Sequence, residues 1–421
     1  MNLLKTSALN GVAVLIKTAT MFILNKILAV YVGPGGYAAI GQFQNFIQMV
    51  TTFAGSAINT AVIKYTAEYH ENEHKQISVW RAAGSLVLIF SFIFSLIILI
   101  FQKQLSLYIF QTTAYQSVFV WFAAFLVLFN LNALFLAILN GKKEVLKLVV
   151  ANIAGSILSL LVTGFLAVQY HLYGALIALS IYQSIAFFVT LFLCYKANWF
   201  NISYLFGKIE PHIAKKFAAF ALMALVSAVC VPLSQMVIRS YLSQEFGLNY
   251  AGYWEAMIRL SSAYLMLVTT TLGVYYLPRL AELTHLDEIK KEVYLGYKFI
   301  FPLAVVGGLC VYVMRDWIIT LLFSQAFLPM RDLFLWQMIG DSLKIGSWIL
   351  AYLMLSKAMT KLFVLTEIIF TLSFVCLTYI CTQIFGFEGV SLAYLLNYAV
   401  YWFVMSFLIF RKLADKEDAR E

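Results

Sequence analysis

The hydrophobic positions of this chain form long runs that are interrupted by short polar segments. Each run extends over roughly 20 residues or more, the length that a helix needs to cross the hydrocarbon core of a bilayer. The pattern predicts twelve such spans, six in each half of the chain. They cover about residues 5–30, 36–62, 82–101, 116–139, 147–169, 174–195, 217–241, 250–277, 295–314, 332–356, 362–383 and 389–410.

The composition supports a membrane protein. Of the 421 residues, 62% are hydrophobic and only 12% are charged, whereas soluble domains average about 45–50% and about 25%. Such a chain cannot cover a surface that faces water, and the same numbers exclude a disordered or nucleic-acid-binding protein. The formal charge of +9 is instead typical of basic cytoplasmic loops.

The basic residues also predict the orientation. Twenty-one Lys and Arg residues fall on one side of the predicted spans, and four, Lys103, Arg239, Arg315 and Arg331, fall on the other. Under the positive-inside rule the first side is cytoplasmic. The predicted fold class is an all-α polytopic membrane protein with twelve transmembrane helices in two six-helix lobes and both termini in the cytoplasm.

The segment between the sixth and seventh spans predicts the division into lobes. Trp199, Phe200 and Phe206 lie there beside Lys208 and Lys215, a mixture that is typical of an element at the membrane interface. We expect an N-terminal lobe over residues 1–196, a cytoplasmic elbow over 197–216, a C-terminal lobe over 217–411 and a cytoplasmic tail over 412–421. Because no loop is long enough to fold as a domain, the function is expected within the membrane.

Seven ionisable residues lie inside the predicted spans. Each costs about 2.5–3.5 kcal/mol at the centre of a membrane helix, and together they cost on the order of 20 kcal/mol. That cost predicts a hydrated cavity lined by these side chains. They are the cations Lys17, Lys26, Arg259 and Lys344 and the carboxylates Glu255, Asp341 and Glu367.

The first span carries two of the cations. Lys17 lies near its middle, far from either interface, and is the best single candidate for a cation that faces the substrate. Lys26 lies about 6 Å from the outer end, so its ammonium can also reach the interface by snorkelling. Nine residues separate the two, which places them on opposite faces of a straight helix. Both face one cavity only if the span bends.

The remaining charges lie in the second half. Glu255 and Arg259 are four residues apart and Asp341 and Lys344 are three apart, so each pair can neutralise itself on one helix face. Glu367 has no partner on its own helix. Two interpretations stay open for it: a buried proton carrier, or a carboxylate at the cytoplasmic interface.

No catalytic motif accompanies these charges. The five histidines lie in loops or at span ends without an HExxH arrangement, the five cysteines have no CxxC spacing, and there is no Walker A sequence. We therefore expect no catalytic residue, no metal and no cofactor, and predict a secondary transporter of an anionic substrate rather than an enzyme. Two alternatives remain: a drug or metabolite exporter, whose cavity should be mainly acidic, and a membrane-embedded glycan polymerase, which should have a large outer loop.

Several stretches resemble the Wzx-type lipid-linked oligosaccharide flippases of the multidrug/oligosaccharidyl-lipid/polysaccharide (MOP) exporter superfamily. The densest is Met330–Gln337, and the likeness continues through Gly340–Lys344 to Glu367. Others are Lys17, the segment 26–34 with its Gly33-Pro34, and the segment 64–70. These stretches combine polar residues with a membrane context and are spread over essentially the whole chain.

This resemblance implies a V-shaped, MATE-like fold of two six-helix lobes around a central cavity. It implies a substrate of undecaprenyl diphosphate carrying an oligosaccharide, of the enterobacterial common antigen or O-antigen type, which moves from the cytoplasmic to the periplasmic leaflet by alternating access. The implied location is the bacterial inner membrane, and coupling to a proton or ion gradient is expected. The implied partners are the lipid-linked substrate, membrane lipids, a polysaccharide polymerase and a chain-length regulator.

With such a substrate, each charged residue inside the spans has an expected role. Lys17, Lys26, Arg259 and Lys344 would bind the diphosphate and sugar, because fixed cations attract phosphate much more strongly at low dielectric than in water. Asp341 would pair with Lys344 in the empty site, and Asp341 or Glu367 would couple protonation to transport. Glu255 is the expected charge partner of Arg259.

Overall fold

The computed structural model describes residues 3–207, 209–272, 276, 279–280, 283, 285–357 and 359–418. In these residues the regular structure is helical. The α-helices are α1 Leu3–Tyr31, α2 Gly33–Phe53, α3 Asn59–Glu68, α4 Glu73–Phe110, α5 Gln116–Gly141, α6 Val145–Tyr195, α7 Pro211–Glu245, α8 Leu248–Thr271, α9 Leu286–Val313, α10 Arg315–Leu322, α11 Phe334–Ser356, α12 Thr360–Phe385 and α13 Gly389–Asp418.

The helices identify a multi-pass membrane protein. Eight helical stretches in the described residues are long and apolar enough to cross a bilayer, or nine if a bent pair is counted as one span. Two of them, Val145–Tyr195 and Thr360–Ile409, have 51 and 50 residues, more than twice the roughly 20 that one crossing needs. Each contains a break, at His171 with φ 50° and at Gly386 with φ 64°. The count of twelve and the side of the termini stay predictions, and Lys208 and Arg420 of the charge count lie outside the described residues.

The second predicted span, 36–62, is not one straight helix. It consists of α2 and α3, which are bent by 67° at the break between them. Gly55 stands at this break with φ 141°, a conformation that residues with a Cβ rarely adopt. Hydropathy averaged over the span does not indicate this bend, but the Gly55-Ser56 pair inside it is a sequence at which helices often kink.

The break frees backbone carbonyl groups that buried side chains then bind. The Ala54 carbonyl accepts hydrogen bonds from Ser91 Oγ on α4 at 3.0 Å and from Asn130 Nδ2 on α5 at 3.3 Å. Asn130 also donates to Ser91 Oγ at 2.9 Å. A broken helix at membrane depth needs such partners, since no water is present to replace the missing backbone bonds. The bend therefore fixes α2 to α4 and α5.

The chain divides into two compact units, Met1–Pro232 and Leu233–Glu421. In the first unit, α5 lies between α4 and α6, and its Phe119, Phe122 and Phe135 are buried. Polar side chains join α5 to α6 as well: Asn132 donates to Gln183 Oε1 and accepts from Thr190 Oγ1, both at 2.7 Å.

The segment 196–207 packs on α4 within the first unit. Leu205 is buried against α4, where a Cβ at Gly84 would overlap the Leu205 backbone, and Ser85 Oγ donates to the Gly207 carbonyl at 3.0 Å. The Trp199 ring lies 5.6 Å from that of Trp80 on α4. The first part of the predicted elbow is thus anchored to α4. The predicted lobe boundaries at 196 and 217 stay predictions.

Lys142 also contacts both tryptophan rings. Lys142 Nζ lies 5.3 Å from the Trp199 ring and 5.8 Å from the Trp80 ring, and it donates to Gln76 Oε1 at 3.1 Å. Trp199 Nε1 in turn donates to Glu144 Oε1 at 2.8 Å. The tryptophans thereby combine ring contacts with satisfied polar groups, as is usual for buried or half-buried Trp.

In the second unit, α11 packs against α9 and α13, and α12 packs against α13. The connection from α9 to α11 is not an open loop. It folds into α10 and a 3₁₀ helix, Gln325–Leu333, whose Phe327, Met330 and Leu333 are buried. Asp316 and Arg331, at opposite ends of this connection, form an exposed ion pair at 3.7 Å.

The bend at Gly55 yields a stability prediction. Gly55→Ala places a Cβ 2.8 Å from Val87 Cγ2 and forces alanine to a positive φ, so we expect a loss of about 2–4 kcal/mol and a lower midpoint of thermal unfolding in detergent. Gly155→Ala is the matched control, because the nearest atom to its Cβ is Ala186 Cβ at 3.8 Å. That variant should unfold at the wild-type temperature or above it. Equal midpoints for both variants would contradict the strained turn.

Candidate functional site

The carboxylate of Asp341 on α11 is the centre of a buried polar cluster in the second unit. Asp341 is fully buried. Its Oδ2 accepts from Ser261 Oγ at 2.7 Å and from Tyr264 OH at 2.5 Å. Its Oδ1 accepts from Tyr394 OH at 2.7 Å and from Gln337 Nε2 at 3.2 Å. The donors come from α8, α11 and α13, so this one side chain connects three helices.

Four donors use the hydrogen-bonding capacity of a carboxylate almost completely, since its two oxygens offer about four lone-pair positions. Hydrogen bonds to an ionised acceptor are also shorter and roughly twice as strong as neutral ones. Gln337 Nε2 also donates to Ser261 Oγ at 3.1 Å, so these two donors fix each other's positions. Asp341 is therefore a fixed anchor in the packing of these helices.

Lys344 lies one turn along α11 and has a different environment. Its ammonium is 4.9 Å from the ring centre of Trp348, 5.3 Å from that of Tyr394 and 5.0 Å from that of Tyr398. We call these three rings the aromatic cage. A cation over an aromatic face gains about 0.5–2 kcal/mol, with the larger value in desolvated sites. Tyr394 belongs to both clusters, since its hydroxyl binds Asp341 and its ring contacts Lys344.

The direct ion pair that the spacing of Asp341 and Lys344 predicts is not formed. Among the described residues Lys344 has no carboxylate within ion-pair distance, although Asp341 and Glu367 lie within its electrostatic range. The physical reason is that donors from other helices occupy the Asp341 oxygens. Glu367 lies on α12, is partly buried, and makes no ion pair with another described residue.

A second charged cluster joins α7 to α8. Glu255 is buried and accepts from Arg259 Nε at 2.7 Å, as the four-residue spacing predicts. Its other oxygen is 3.0 Å from an Arg239 guanidinium nitrogen. Arg239, which the charge count assigns to the outer side, is only 2% exposed and lies within α7; the side of the membrane on which it lies stays a prediction. The cluster contains two cations and one anion and so keeps a net positive charge.

The two cations of the first unit lie apart from each other. α1 runs as one helix through Lys17 and Lys26, and nine residues at 100° each place them on opposite faces. Lys17 is exposed and Lys26 is partly buried. The structure thus leaves Lys17 as the accessible cation near the middle of α1.

Sequence reasoning missed the side chains that surround the charges. Tyr264 is three residues from Ser261, Gln337 is four from Asp341, Trp348 is four from Lys344, and Tyr398 is four from Tyr394. These are the spacings that bring side chains onto one helix face. A search for polar or aromatic residues at such spacings around each charge could have found them.

The Arg239–Glu255–Arg259 cluster yields a second prediction. Glu255→Gln leaves two cations without their shared anion, and the loss of one partner from a buried ion pair costs about 3–5 kcal/mol. We expect a lower thermal unfolding midpoint in detergent, measured beside Glu388→Gln, which changes an exposed carboxylate and should leave the midpoint unchanged. A Glu255→Gln variant as stable as the wild type would contradict a structural role for this cluster.

Comparison with known proteins places the chain in a family. The family described as "Polysaccharide biosynthesis protein" matches residues 3–284. Two relatives named lipid III flippase, from Escherichia coli (strain K12) and Shigella flexneri, are each 30% identical over 420 residues, which cover 98% of this chain and 100% of theirs.

Solved structures support the predicted fold. A MATE family multidrug resistance transporter of the MOP superfamily, in an inward-facing conformation, is similar with a TM-score of 0.77 at 13% identity, over 95% of this chain and 96% of that chain. The lipid II flippase MurJ, in an inward closed conformation, is similar with a TM-score of 0.72 at 14% identity, over 97% and 90%. These likenesses confirm the all-α, MATE-like fold. The chain belongs to the polysaccharide biosynthesis protein family and has the fold of the MOP superfamily.

Proposed function

We propose that this protein is a flippase that moves undecaprenyl-diphosphate-linked oligosaccharide, of the enterobacterial common antigen or O-antigen type, from the cytoplasmic to the periplasmic leaflet of the bacterial inner membrane. The observation that carries the proposal is the similarity to lipid III flippases along nearly the whole chain. The substrate of such a protein combines a diphosphate, sugars and a polyprenyl tail. Only the first two need a polar path, because the tail can remain in lipid.

The charge distribution of the second unit supports an anionic substrate. Lys344 is held by ring faces rather than by a contacting carboxylate, so its charge is available to a phosphate. The Arg239–Glu255–Arg259 cluster adds a net positive charge. An exporter of cationic drugs would be expected to have the opposite balance. Lys344 and Arg259 in the second unit and Lys17 and Lys26 in the first are the proposed diphosphate-binding cations.

We assign coupling to Glu367 rather than to Asp341. The four donors around Asp341 would have to rearrange before its carboxylate could take a proton. Glu367 is partly buried, has no ion pair among the described residues and lies within electrostatic range of Lys344. Protonation of Glu367 would therefore change the electric field at Lys344 without disrupting the hydrogen bonds that hold α8, α11 and α13 together.

A polymerase and a chain-length regulator would use the translocated lipid in the periplasmic leaflet.

The proposal is tested by depletion and lipid analysis. Depletion of the protein should cause an undecaprenyl-diphosphate oligosaccharide to accumulate on the inner leaflet, and the wild-type gene should clear it. Lys17→Gln and Lys344→Gln should clear it about tenfold or more slowly, because a hydrogen bond to a charged group contributes roughly 1.5–3 kcal/mol.

The matched control is Lys361→Gln, which removes an exposed cation at the start of α12 and should clear the lipid at the wild-type rate. Protein levels in the membrane are compared in parallel. No accumulation on depletion would refute the function, whereas full clearance by both Lys17→Gln and Lys344→Gln would refute only the role of these cations.

Coupling is tested in proteoliposomes with an imposed pH gradient. If Glu367 carries the proton, transport by wild-type protein should respond to the gradient and transport by Glu367→Gln should not, because glutamine cannot exchange a proton. Glu388→Gln, which alters an exposed carboxylate, should respond as the wild type does. A full response by Glu367→Gln would remove Glu367 from the coupling mechanism.

A further inference from the structure

A stripe of uncharged polar side chains runs along α2 in the first unit. It consists of Gln44, Asn45, Gln48 and Thr52, which we call the amide stripe. At 100° per residue these four positions lie within an arc of about 100°. The stripe borders the face of α2 that buries Phe43 and Ile47. It is therefore a continuous feature of one side of this helix and not a scatter of polar residues.

The amide stripe lies deep in the predicted membrane. α2 begins at Gly33, so Gln44 and Gln48 lie about 16 Å and 22 Å along the helix axis at a rise of about 1.5 Å per residue. The hydrocarbon core is about 30 Å thick. Both amides are thus well inside it, too far from the helix start to reach the interface by extending their side chains.

The protein leaves part of the stripe accessible. Gln48 is exposed, and Gln44, Asn45 and Thr52 are partly buried. Thr52 Oγ1 donates to the Gln48 backbone carbonyl at 2.7 Å and Asn45 Nδ2 reaches the Pro232 carbonyl at 3.4 Å. The Gln48 side-chain amide makes no hydrogen bond to another described residue. An amide has two N–H donors and an acceptor oxygen, and hydrocarbon can satisfy none of them, so this face is expected to meet a polar ligand or water.

The second half of the chain carries charges at the matching register. The second span opens with Ala39-Ile40-Gly41 and the eighth with Tyr250-Ala251-Gly252; when the two glycines are aligned, Gln44 corresponds to Glu255 and Gln48 to Arg259. Neutral amides thus stand in the first half where an ion pair stands in the second. Charged side chains suit a diphosphate, whereas amides, which both donate and accept, suit the hydroxyl and acetamido groups of sugars.

We propose that the amide stripe is a glycan-binding subsite that hydrogen-bonds the oligosaccharide of the lipid-linked substrate. This inference rests on the proposed function and adds the place where the sugar part binds. Gln48 is the principal contact because its amide is the accessible one, and Gln44 and Asn45 extend the subsite along the helix. The subsite would favour substrates that bear a glycan over the bare polyprenyl diphosphate.

The test compares two probes on purified protein in nanodiscs: undecaprenyl diphosphate, and the same lipid carrying the complete oligosaccharide. Gln48→Leu should raise the Kd for the glycan-bearing lipid roughly three- to tenfold, the effect of losing one or two neutral hydrogen bonds. Its Kd for undecaprenyl diphosphate should stay within twofold of the wild-type value. Gln44→Leu should act in the same direction.

Gln169→Leu is the matched control, because Gln169 is an exposed amide on α6, just before the break at His171. It should leave both Kd values unchanged. If Gln48→Leu fails to fold, Gln48→Asn takes its place in the test, because it keeps the amide on a shorter side chain. It should raise the Kd for the glycan-bearing lipid selectively, but by less than Gln48→Leu.

Equal weakening of both lipids, or no change in either, would overturn the glycan subsite. The proposed function fails separately, if wild-type protein in proteoliposomes translocates no glycan-bearing lipid, and that result does not depend on the ratio of the two Kd values.

Discussion

The structure depends on one constraint: inside a bilayer, a polar group must find its partner within the protein. Asp341 meets this constraint with four donors from three helices, and Glu255 meets it with two guanidinium groups. The Ala54 carbonyl, released by the break in the second span, meets it with Ser91 and Asn130. In each case the polar partners also determine which helices lie side by side. Apolar packing alone would be less selective, because lipid tails are as apolar as the helix surfaces.

The protein satisfies this constraint in different ways for Asp341 and for Lys344, and the difference bears on function. Hydrogen bonds saturate the Asp341 carboxylate and fix it in position, whereas ring faces hold the Lys344 ammonium without neutralising it. A cation–π contact directs no donor to a particular acceptor atom, so the ammonium keeps its three N–H groups for another ligand. The second unit therefore contains a rigid buried anchor and, one helical turn away, a cation that is positioned but still able to bind an anion.

Hydropathy predicted most of the helices, since an apolar run of sufficient length allows few alternatives in a membrane protein. Hydropathy alone misses the bend at Gly55, because it averages over the whole span; the local signal is the Gly55-Ser56 pair, at which helices often kink. The pairing of Arg239 with Glu255 was missed because the two residues lie on different helices. The aromatic cage was missed for a statistical reason: with 36 Phe, 25 Tyr and 8 Trp in the chain, rings at helical spacing are ordinary packing residues unless a cation is known to face them.

The contact between α4 and the segment 196–207 has a consequence for biosynthesis. Ser85 and its partner Gly207 are separated by 122 positions in the sequence, and Trp80 is fully buried beside Trp199. At about 5–20 residues per second, the ribosome needs on the order of 6–25 seconds to supply this cover after Ser85 has been made. During that interval α5 and α6 have entered the membrane while the Trp80 end of α4 is still uncovered. This end of α4 is therefore covered by the segment that follows α6, and a chain truncated at Tyr195 would contain all of helices α1–α6 but lack that cover.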